Sequence, residues 1–282
     1  MKEDFLYNAS PNWEVEIVDE NAKTCYIFFS SNGLYSDDSE EEFEKVMIRG
    51  NRYEWKSIAN AVKKRKGVKK IIYVRDLYKK FYIRGINPEC NSIDALIDLL
   101  WHETENDEVI TVGISSGAYM AVVVGCQIKA QKVFCISGQF DLQNHLTEEE
   151  LKEFSVSNGK YVNIVQLVAS NDDVPIYYFC PINCWHDRAN YELVKDIKNV
   201  RCFIFPDKIH AATVYPYNFP DILCLSNERL DELTLRYRGK LINKKLFLLH
   251  TMTFMGMWEF VKRVYKSKFS ISGLKKLWDV KE

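Results

Sequence analysis

The chain has 282 residues and a mass of 33.1 kDa, a length that suits one α/β domain with an appendage. Hydrophobic residues make up 47% of it and charged residues 27%, which excludes a disordered chain, a collagen-like chain and an array of membrane spans. The 38 lysines and arginines are balanced by 39 acidic residues, so the basic excess of a dedicated nucleic-acid-binding protein is missing.

Seven short runs of apolar and β-branched residues predict strands, and four longer segments with helical spacing lie between them. The predicted strands are 13–18, 24–29, 70–74, 109–113, 132–136, 176–179 and 200–205, and the predicted helices are 53–64, 92–103, 118–129 and 187–197. Strands that alternate with helices indicate βαβ crossovers, and nearly continuous apolar strands indicate a sheet covered on both faces. We therefore expect an α/β fold with a doubly wound, mostly parallel sheet.

The pattern changes from about Ser226 onward, where strand signals end and basic residues accumulate. Residues 236–282 hold twelve lysines and arginines but three acidic residues. We predict a catalytic α/β domain over residues 1–225 and a basic helical C-terminal extension over residues 226–282. The apolar residues of the extension fit either contact with a membrane surface or packing on the domain. They are Leu246, Phe247, Phe254, Met257, Trp258, Phe260 and Val261.

The eight cysteines are scattered, without C-x-x-C pairs or a histidine at metal-ligand spacing. This pattern predicts a reduced, cytoplasmic chain without a metal site. The amino terminus lacks a basic region followed by an apolar one, so we expect no secretory signal. The longest apolar tract, residues 246–261, is interrupted by His250 and Glu259 and is too short to span a bilayer.

A G-x-S-x-G motif stands between a predicted strand and a predicted helix, with Ser115 at its centre. A nucleophile elbow places its serine on a cramped strand-to-helix turn, so the residues two before and two after it must be small. Gly113 and Gly117 meet this need. The motif predicts Ser115 as a nucleophile, and the alternative is a glycine-rich turn that holds a phosphate at the helix N-terminus.

A serine nucleophile needs a base, and after such an elbow the partners follow in the order acid, then histidine. His210 lies in the loop after the last predicted strand and is the predicted base, with His186 as the alternative. Asp187 begins the helix after strand 176–179 and is the predicted acid, although an acid at a helix N-terminus is also common. The reserve acids are Asp172, Asp173 and Asp207.

Acyl chemistry also needs hydrogen-bond donors for the oxyanion of the tetrahedral intermediate. One predicted donor is the backbone N–H of Ser116, the residue after the nucleophile. The other is expected in the turn after strand 24–29, at Asn32 or Gly33. A plain turn after a strand is the alternative explanation for this segment.

Over roughly residues 10 to 225 the sequence resembles the α/β-hydrolase superfamily. Residues 71–86 (IIYVRDLYKKFYIRGI), GISSGAY and DRANYEL are similar to stretches in bacterial proteins encoded among capsule and surface-polysaccharide genes. Some members of that group are serine O-acetyltransferases that use acetyl-CoA and modify sugars. The resemblance implies acetyl transfer to a sugar hydroxyl. The chain departs from the group at Ser116, where a smaller residue is usual, and at Asn190-Tyr191, where His-Ala is usual.

Two arginines follow strand 70–74, at the sheet edge where open α/β folds bind ligands. Arg75 and Arg84 are predicted to hold an anionic sugar or a CoA phosphate, with a surface ion pair as the alternative. Trp185 and His186, in the next loop, are predicted to form an aromatic wall for a sugar or acyl group. A core tryptophan is the other explanation for Trp185.

The motif and the order of its partners predict a serine acyl-transfer enzyme with no tightly bound cofactor, and the resemblance implies that it transfers an acetyl group from acetyl-CoA to a glycan hydroxyl. A serine esterase with a small acyl substrate is the first alternative. The second is a non-catalytic hydrolase-like protein that binds a glycan or a protein partner. We expect the chain in the cytoplasm, with contact to the inner face of the membrane through the basic extension.

Overall fold

The computed structural model describes residues 2–35, 39–65, 67–254, 256–258 and 261. In this part of the chain seven strands form one sheet in the order β1-β3-β2-β4-β5-β6-β7. The edge strand β1 pairs antiparallel with β3, and the other neighbours are parallel. The strands are β1 Trp13–Ile17, β2 Thr24–Phe29, β3 Val68–Val74, β4 Glu108–Ile114, β5 Lys132–Ile136, β6 Ile176–Pro181 and β7 Val200–Phe205. The predicted strands and the mostly parallel sheet are confirmed.

Eleven α-helices are described around this sheet. Ser92 caps α4 by accepting a hydrogen bond from the Ala95 N–H, as its sequence predicts. Helices α1, α2, α6, α7 and α9 lie outside the four predicted helical segments and the predicted extension. The helices are α1 Lys2–Ala9, α2 Glu40–Phe43, α3 Lys56–Val62, α4 Ile93–Glu103, α5 Ser116–Gln127, α6 Glu148–Asn158, α7 Val165–Ser170, α8 Trp185–Val194, α9 Phe219–Leu223, α10 Asn227–Tyr237 and α11 Lys244–Thr251.

The sheet is covered on both faces, which explains why its central strands are apolar on every side. One core contains side chains of α4, α5, α6, α7 and α8. The opposite core contains side chains of α3, α9, α10 and α11. Parallel strands bring their carboxyl ends to one edge, so the loops after β2, β3, β4, β5, β6 and β7 meet there.

The start of the predicted extension packs against the sheet. Leu230, Leu233 and Tyr237 of α10 recur at helical spacing and are buried. Phe247 of α11 is buried, with its ring centroid 5.3 Å from that of Phe203. For Phe247, packing on the domain is therefore the correct alternative. The division at residue 225 stays a prediction, and Phe260 and residues 262–282 lie outside the described part.

Candidate active site

Ser115 occupies the sharp turn between β4 and α5. Its backbone is left-handed, with φ 54° and ψ −124°, a conformation that a non-glycine residue adopts only when its surroundings enforce it. The turn is held by a 2.9 Å hydrogen bond from the Ser115 N–H to the Ile136 carbonyl. The conformation projects the Ser115 side chain at the carboxyl edge of the sheet.

The two glycines of the motif are required by close backbone approaches. A Cβ atom on Gly113 would lie 2.1 Å from the carbonyl oxygen of Gly117. A Cβ atom on Gly117 would lie 2.4 Å from the carbonyl oxygen of Phe29, at the end of β2. Both distances are shorter than any van der Waals contact, so the elbow can form only with glycine at both positions.

Three side chains that follow three different strands meet at the elbow. His210 Nε2 lies 2.9 Å from Ser115 Oγ, and His210 Nδ1 lies 2.8 Å from Asp187 Oδ2. The Asp187 side chain is 2% exposed and that of His210 is 37% exposed. If Nδ1 carries the proton and donates a hydrogen bond to the carboxylate, Nε2 is free to accept the serine proton. The arrangement is that of a nucleophile, a general base and an orienting acid.

The alternative bases and acids lie elsewhere. His186 is exposed and contacts Trp185 and His145 rather than Ser115. The three reserve acids form ion pairs with lysines, at 2.8 Å for Asp172 and Lys198, 2.9 Å for Asp173 and Lys129, and 2.7 Å for Asp207 and Lys244. Among the described side chains, His210 and Asp187 are the pair that the fold brings to the serine.

The loop that carries His210 is anchored by a serine that the sequence analysis did not select. Ser137 follows β5, is fully buried and has φ 51°. Its Oγ accepts a 3.1 Å hydrogen bond from the N–H of Ala211, the residue after the histidine. Because Ala211 is itself left-handed, with φ 66°, this contact fixes the turn that aims the imidazole. No motif around Ser137 signals this role.

Cys184 lies beside the triad carboxylate, at the start of α8. Burial and then a hydrogen bond to the Asp187 side chain raise the pKa of the Cys184 thiol, so the thiol stays protonated. Its Sγ, an Asp187 oxygen and a His210 ring nitrogen lie within 4.8 Å of one another. Zinc binds these atom types. A cation there would replace the hydrogen bond between His210 and Asp187. A bound metal is therefore incompatible with the hydrogen-bonded arrangement of Ser115, His210 and Asp187.

The predicted oxyanion donors have different surroundings. Ser116 is the first residue of α5, so its N–H has no acceptor within the helix. The Asn32 N–H donates to Ser116 Oγ at 2.9 Å, and this hydroxyl donates to Asn32 Oδ1 at 2.8 Å. The Gly33 N–H donates to Ser31 Oγ at 3.0 Å inside the turn. Of the two predicted alternatives, Asn32 faces the elbow and Gly33 does not.

The loop after β2 is held by side chains from two other segments of the chain. Glu54 accepts hydrogen bonds from the Ser31 N–H at 2.6 Å and from its Oγ at 2.9 Å. The Tyr82 hydroxyl donates to the Ser30 carbonyl at 2.7 Å. Tyr82 is placed by the buried Asp76, which accepts its N–H at 2.8 Å. The segment that carries part of the sequence resemblance thus supports the loop after β2.

Arg75 lies in the protein interior, whereas the prediction has it exposed at the sheet edge to bind a substrate. Its side chain is fully buried and its guanidinium donates to Asn12 Oδ1 at 3.0 Å and to Asn51 Oδ1 at 2.9 Å. It also lies over the ring of Tyr53, 4.5 Å from the centroid. Arg75 therefore joins the segments around Asn12 and Asn51 to the end of β3. Arg84 is exposed and lies over the Tyr78 ring at 5.2 Å, and its role in substrate binding stays a prediction.

A row of aromatic and imidazole rings lies beside the triad. Trp185 is 72% exposed, which excludes the core alternative, and it contacts His186. The His145 ring centroid lies 5.9 Å from that of His186 and 6.0 Å from that of Phe81. Burial, followed by positive charge on His186 and His210, lowers the pKa of His145. We call these four residues the aromatic row: Trp185, His186, His145 and Phe81.

The sheet order, the strained serine between β4 and α5, and the histidine loop after β7 together define an α/β-hydrolase fold, as the sequence predicts. No protein-family model matches the chain, and no curated protein matches it by sequence.

Solved structures of this fold resemble the chain at low identity. A capsule O-acetyltransferase of Neisseria meningitidis serogroup A is 11% identical, with a TM-score of 0.49, over 70% of this chain and 84% of that one. Fluorophosphonate-binding serine hydrolase F of Staphylococcus aureus is 14% identical, with a TM-score of 0.48, over 76% and 93%. The esterase Pf2001 of Pyrococcus furiosus is 14% identical, with a TM-score of 0.41, over 77% and 83%. At this level of similarity they indicate nothing about the reaction of this chain.

Proposed function

We propose that this protein is a serine acyl-transfer enzyme. The observation that carries the proposal is the pair of hydrogen-bond distances, 2.9 Å from Ser115 to His210 and 2.8 Å from His210 to Asp187. A purely structural cluster would have no need of a left-handed serine, whose conformation costs about 1–3 kcal/mol. The buried Asp187 and the half-exposed His210 also fit the roles of orienting acid and substrate-facing base.

In the proposed reaction His210 Nε2 takes the proton of Ser115 Oγ, and Oγ attacks the acyl carbonyl. The oxyanion accepts the Ser116 N–H and, at the turn after β2, the Asn32 N–H. The tetrahedral intermediate expels the leaving group, which takes the proton from His210. Asp187 stabilises the imidazolium during this step, and the acyl group remains on Ser115 as an ester.

An acceptor hydroxyl then gives its proton to His210 and attacks the acyl-serine ester. The proton returns to Ser115 as the new ester leaves. We propose acetyl-CoA as the donor and a sugar hydroxyl of a bacterial surface polysaccharide as the acceptor. This choice rests on the sequence resemblance, and the exposed face of Trp185 in the aromatic row offers a surface on which a sugar ring can lie. With water as acceptor, the same residues make a serine esterase.

Intact-mass measurement after incubation with acetyl-CoA or with an activated ester tests the acyl-enzyme. We expect the mass of one acetyl group on the wild-type protein and none on Ser115→Ala. Ser170→Ala, an exposed serine on α7, is the matched control and should label like the wild type. Equal labelling of Ser115→Ala would overturn the assignment of the nucleophile.

Acceptor dependence then separates transferase from esterase. For a transferase, consumption of acetyl-CoA should rise well above its hydrolytic background when a polysaccharide is added, with acetyl ester recovered on the glycan. Rapid cleavage of aryl esters with no effect of any glycan supports the esterase. A protein that forms no acyl-enzyme with either donor, and is not labelled by a fluorophosphonate, supports the non-catalytic alternative.

A further inference from the structure

The end of the described chain carries an apolar stripe that faces outward. Residues 254, 256–258 and 261 are helical, and Phe254, Met257, Trp258 and Val261 follow the i, i+3, i+4, i+7 spacing of one helix face. Their exposed fractions are 83%, 48%, 56% and 48%. We call these four residues the outer stripe. In α10 the residues at corresponding spacing, Leu230, Leu233 and Tyr237, are buried against the sheet, so the two helical segments orient their apolar faces in opposite ways.

The start of this segment is fixed to the domain. Thr253 Oγ1 donates to Asp221 Oδ1 at 2.7 Å, and the Thr253 N–H donates to Asp221 Oδ2 at 3.2 Å. Asp221 is buried and pairs with Arg65. Thr253 Oγ1 also accepts the Gly256 N–H at 3.1 Å, and the Thr253 carbonyl accepts the Met257 N–H at 2.8 Å. The buried carboxylate therefore holds the first turn in place, with the outer stripe directed away from the core.

The net charge of the C-terminal region indicates which kind of surface binds the outer stripe. Five basic residues precede it from 236 onward, and over residues 236–282 the sequence has twelve basic residues against three acidic ones. Two copies of a region with this net positive charge repel each other, which opposes self-association through it. Aromatic and aliphatic side chains on one helix face, within a stretch of sequence rich in lysine and arginine, are typical of helices that lie in the interface of an anionic membrane.

We infer that the outer stripe docks this protein on an anionic lipid bilayer. The side chains of the outer stripe insert into the bilayer at the level of the headgroups. The basic residues of the C-terminal region attract the anionic headgroups. Among the described residues, no helix is long and apolar enough to span a membrane. The anchored Thr253 holds the domain at the surface. This inference does not depend on the reaction proposed above.

Flotation of the full chain with vesicles tests the inference. We compare phosphatidylcholine vesicles with vesicles that contain equal parts of phosphatidylcholine and phosphatidylglycerol. We expect binding to the anionic vesicles alone, and loss of binding between about 0.1 M and about 1 M salt, where the Debye length falls from about 10 Å to about 3 Å. No binding to anionic vesicles at low salt would overturn the inference.

A pair of double variants identifies the surface. Phe254→Ser with Met257→Ser should weaken binding at least about tenfold, because two large apolar side chains leave the interface. Phe5→Ser with Leu193→Ser removes similar exposed side chains elsewhere and should bind like the wild type. Equal binding by both double variants contradicts the inference.

Two further outcomes also overturn it. If the stripe variant unfolds several degrees below the control variant, the stripe packs on the protein itself. If the wild type is a dimer in solution and the stripe variant is a monomer, the stripe is an interface between copies. Thermal unfolding and light scattering measure both without any enzymatic readout, so these results are independent of the proposed reaction.

Discussion

Ser116 and Asn32 bind each other through two hydrogen bonds of opposite direction. The Asn32 N–H donates to Ser116 Oγ at 2.9 Å, and the Ser116 hydroxyl donates to Asn32 Oδ1 at 2.8 Å. The pair joins the turn after β2 to the first residue of α5, which are 84 residues apart in the chain. In this resting geometry the Asn32 N–H is engaged by Ser116, so a substrate oxyanion must compete with the hydroxyl for that donor.

Loss of this pair should lower activity by displacing the oxyanion loop. We expect Ser116→Ala and Asn32→Ala each to reduce kcat/KM about tenfold, since small errors in the position of catalytic donors are costly. The double variant should lose little more than either single variant, because all three lack the same side-chain bond. Ester hydrolysis rates measure this. Losses that multiply would show that the two residues act separately.

Replacement of the histidines should distinguish the base from its neighbour. His210→Ala should reduce kcat by about 10⁴ to 10⁶, because the members of a triad act as a unit. His186→Ala should reduce it far less, since His186 contacts Trp185 and His145 rather than Ser115. Fluorophosphonate labelling rates give the comparison. A larger loss in His186→Ala than in His210→Ala would refute the assignment of the base.

Ser137→Ala should displace the loop that carries His210 and so lower activity. It removes the acceptor of the Ala211 N–H, and the loss of a typical hydrogen bond costs about 0.5–1.5 kcal/mol. We expect a lower unfolding temperature and a drop in kcat larger than the change in KM, because the imidazole of His210 loses its aim. Ser170→Ala controls for the loss of a serine hydroxyl. Unchanged kcat in a less stable Ser137→Ala would restrict Ser137 to a role in folding.

Gly117→Ala tests the close approach between the elbow and β2. The added Cβ would meet the Phe29 carbonyl at 2.4 Å, and backbone atoms cannot move aside cheaply. Overpacking of this kind costs about 1–3 kcal/mol, so we expect a lower unfolding midpoint and a large loss of labelling at Ser115. Gly159→Ala is the matched control, because nothing lies within 4 Å of its added Cβ. Equal stability of the two variants would contradict the geometry of the elbow.

His145 should make the fold less stable in mild acid. Burial and then charge on His186 and His210 lower its pKa in the folded chain below the ordinary 6.5, so at pH values just under 6.5 the unfolded chain binds more protons than the folded chain. Stability from this group is present above pH 6.5 and falls as the pH drops below it. His145→Gln should therefore lose less of its unfolding temperature between pH 7.5 and pH 5.5 than the wild type. His102→Gln, on the exposed side of α4, should behave like the wild type.

The sequence by itself determined the sheet and the position of its elbow. Strand-length apolar runs predict the seven strands because a sheet buried on both faces leaves no polar alternation. The spacing of Gly113, Ser115 and Gly117 predicts the elbow because only glycine admits the backbone contacts found there. The chain order of Ser115, Asp187 and His210 predicts that these three residues come together, because the segments after parallel strands meet at one edge of the sheet.

Only the tertiary structure decided which partners the polar side chains bind and which side chains are exposed. Arg75 follows a strand as a ligand-binding arginine would, yet it is buried because Asn12 and Asn51, from distant segments, satisfy its guanidinium. The anchoring by Ser137, the pairing of Asn32 with Ser116 and the outward orientation of Phe254 all depend on which segments become neighbours. Periodicity reports the faces of one element, whereas hydrogen-bond partners and exposure are properties of how several elements pack together.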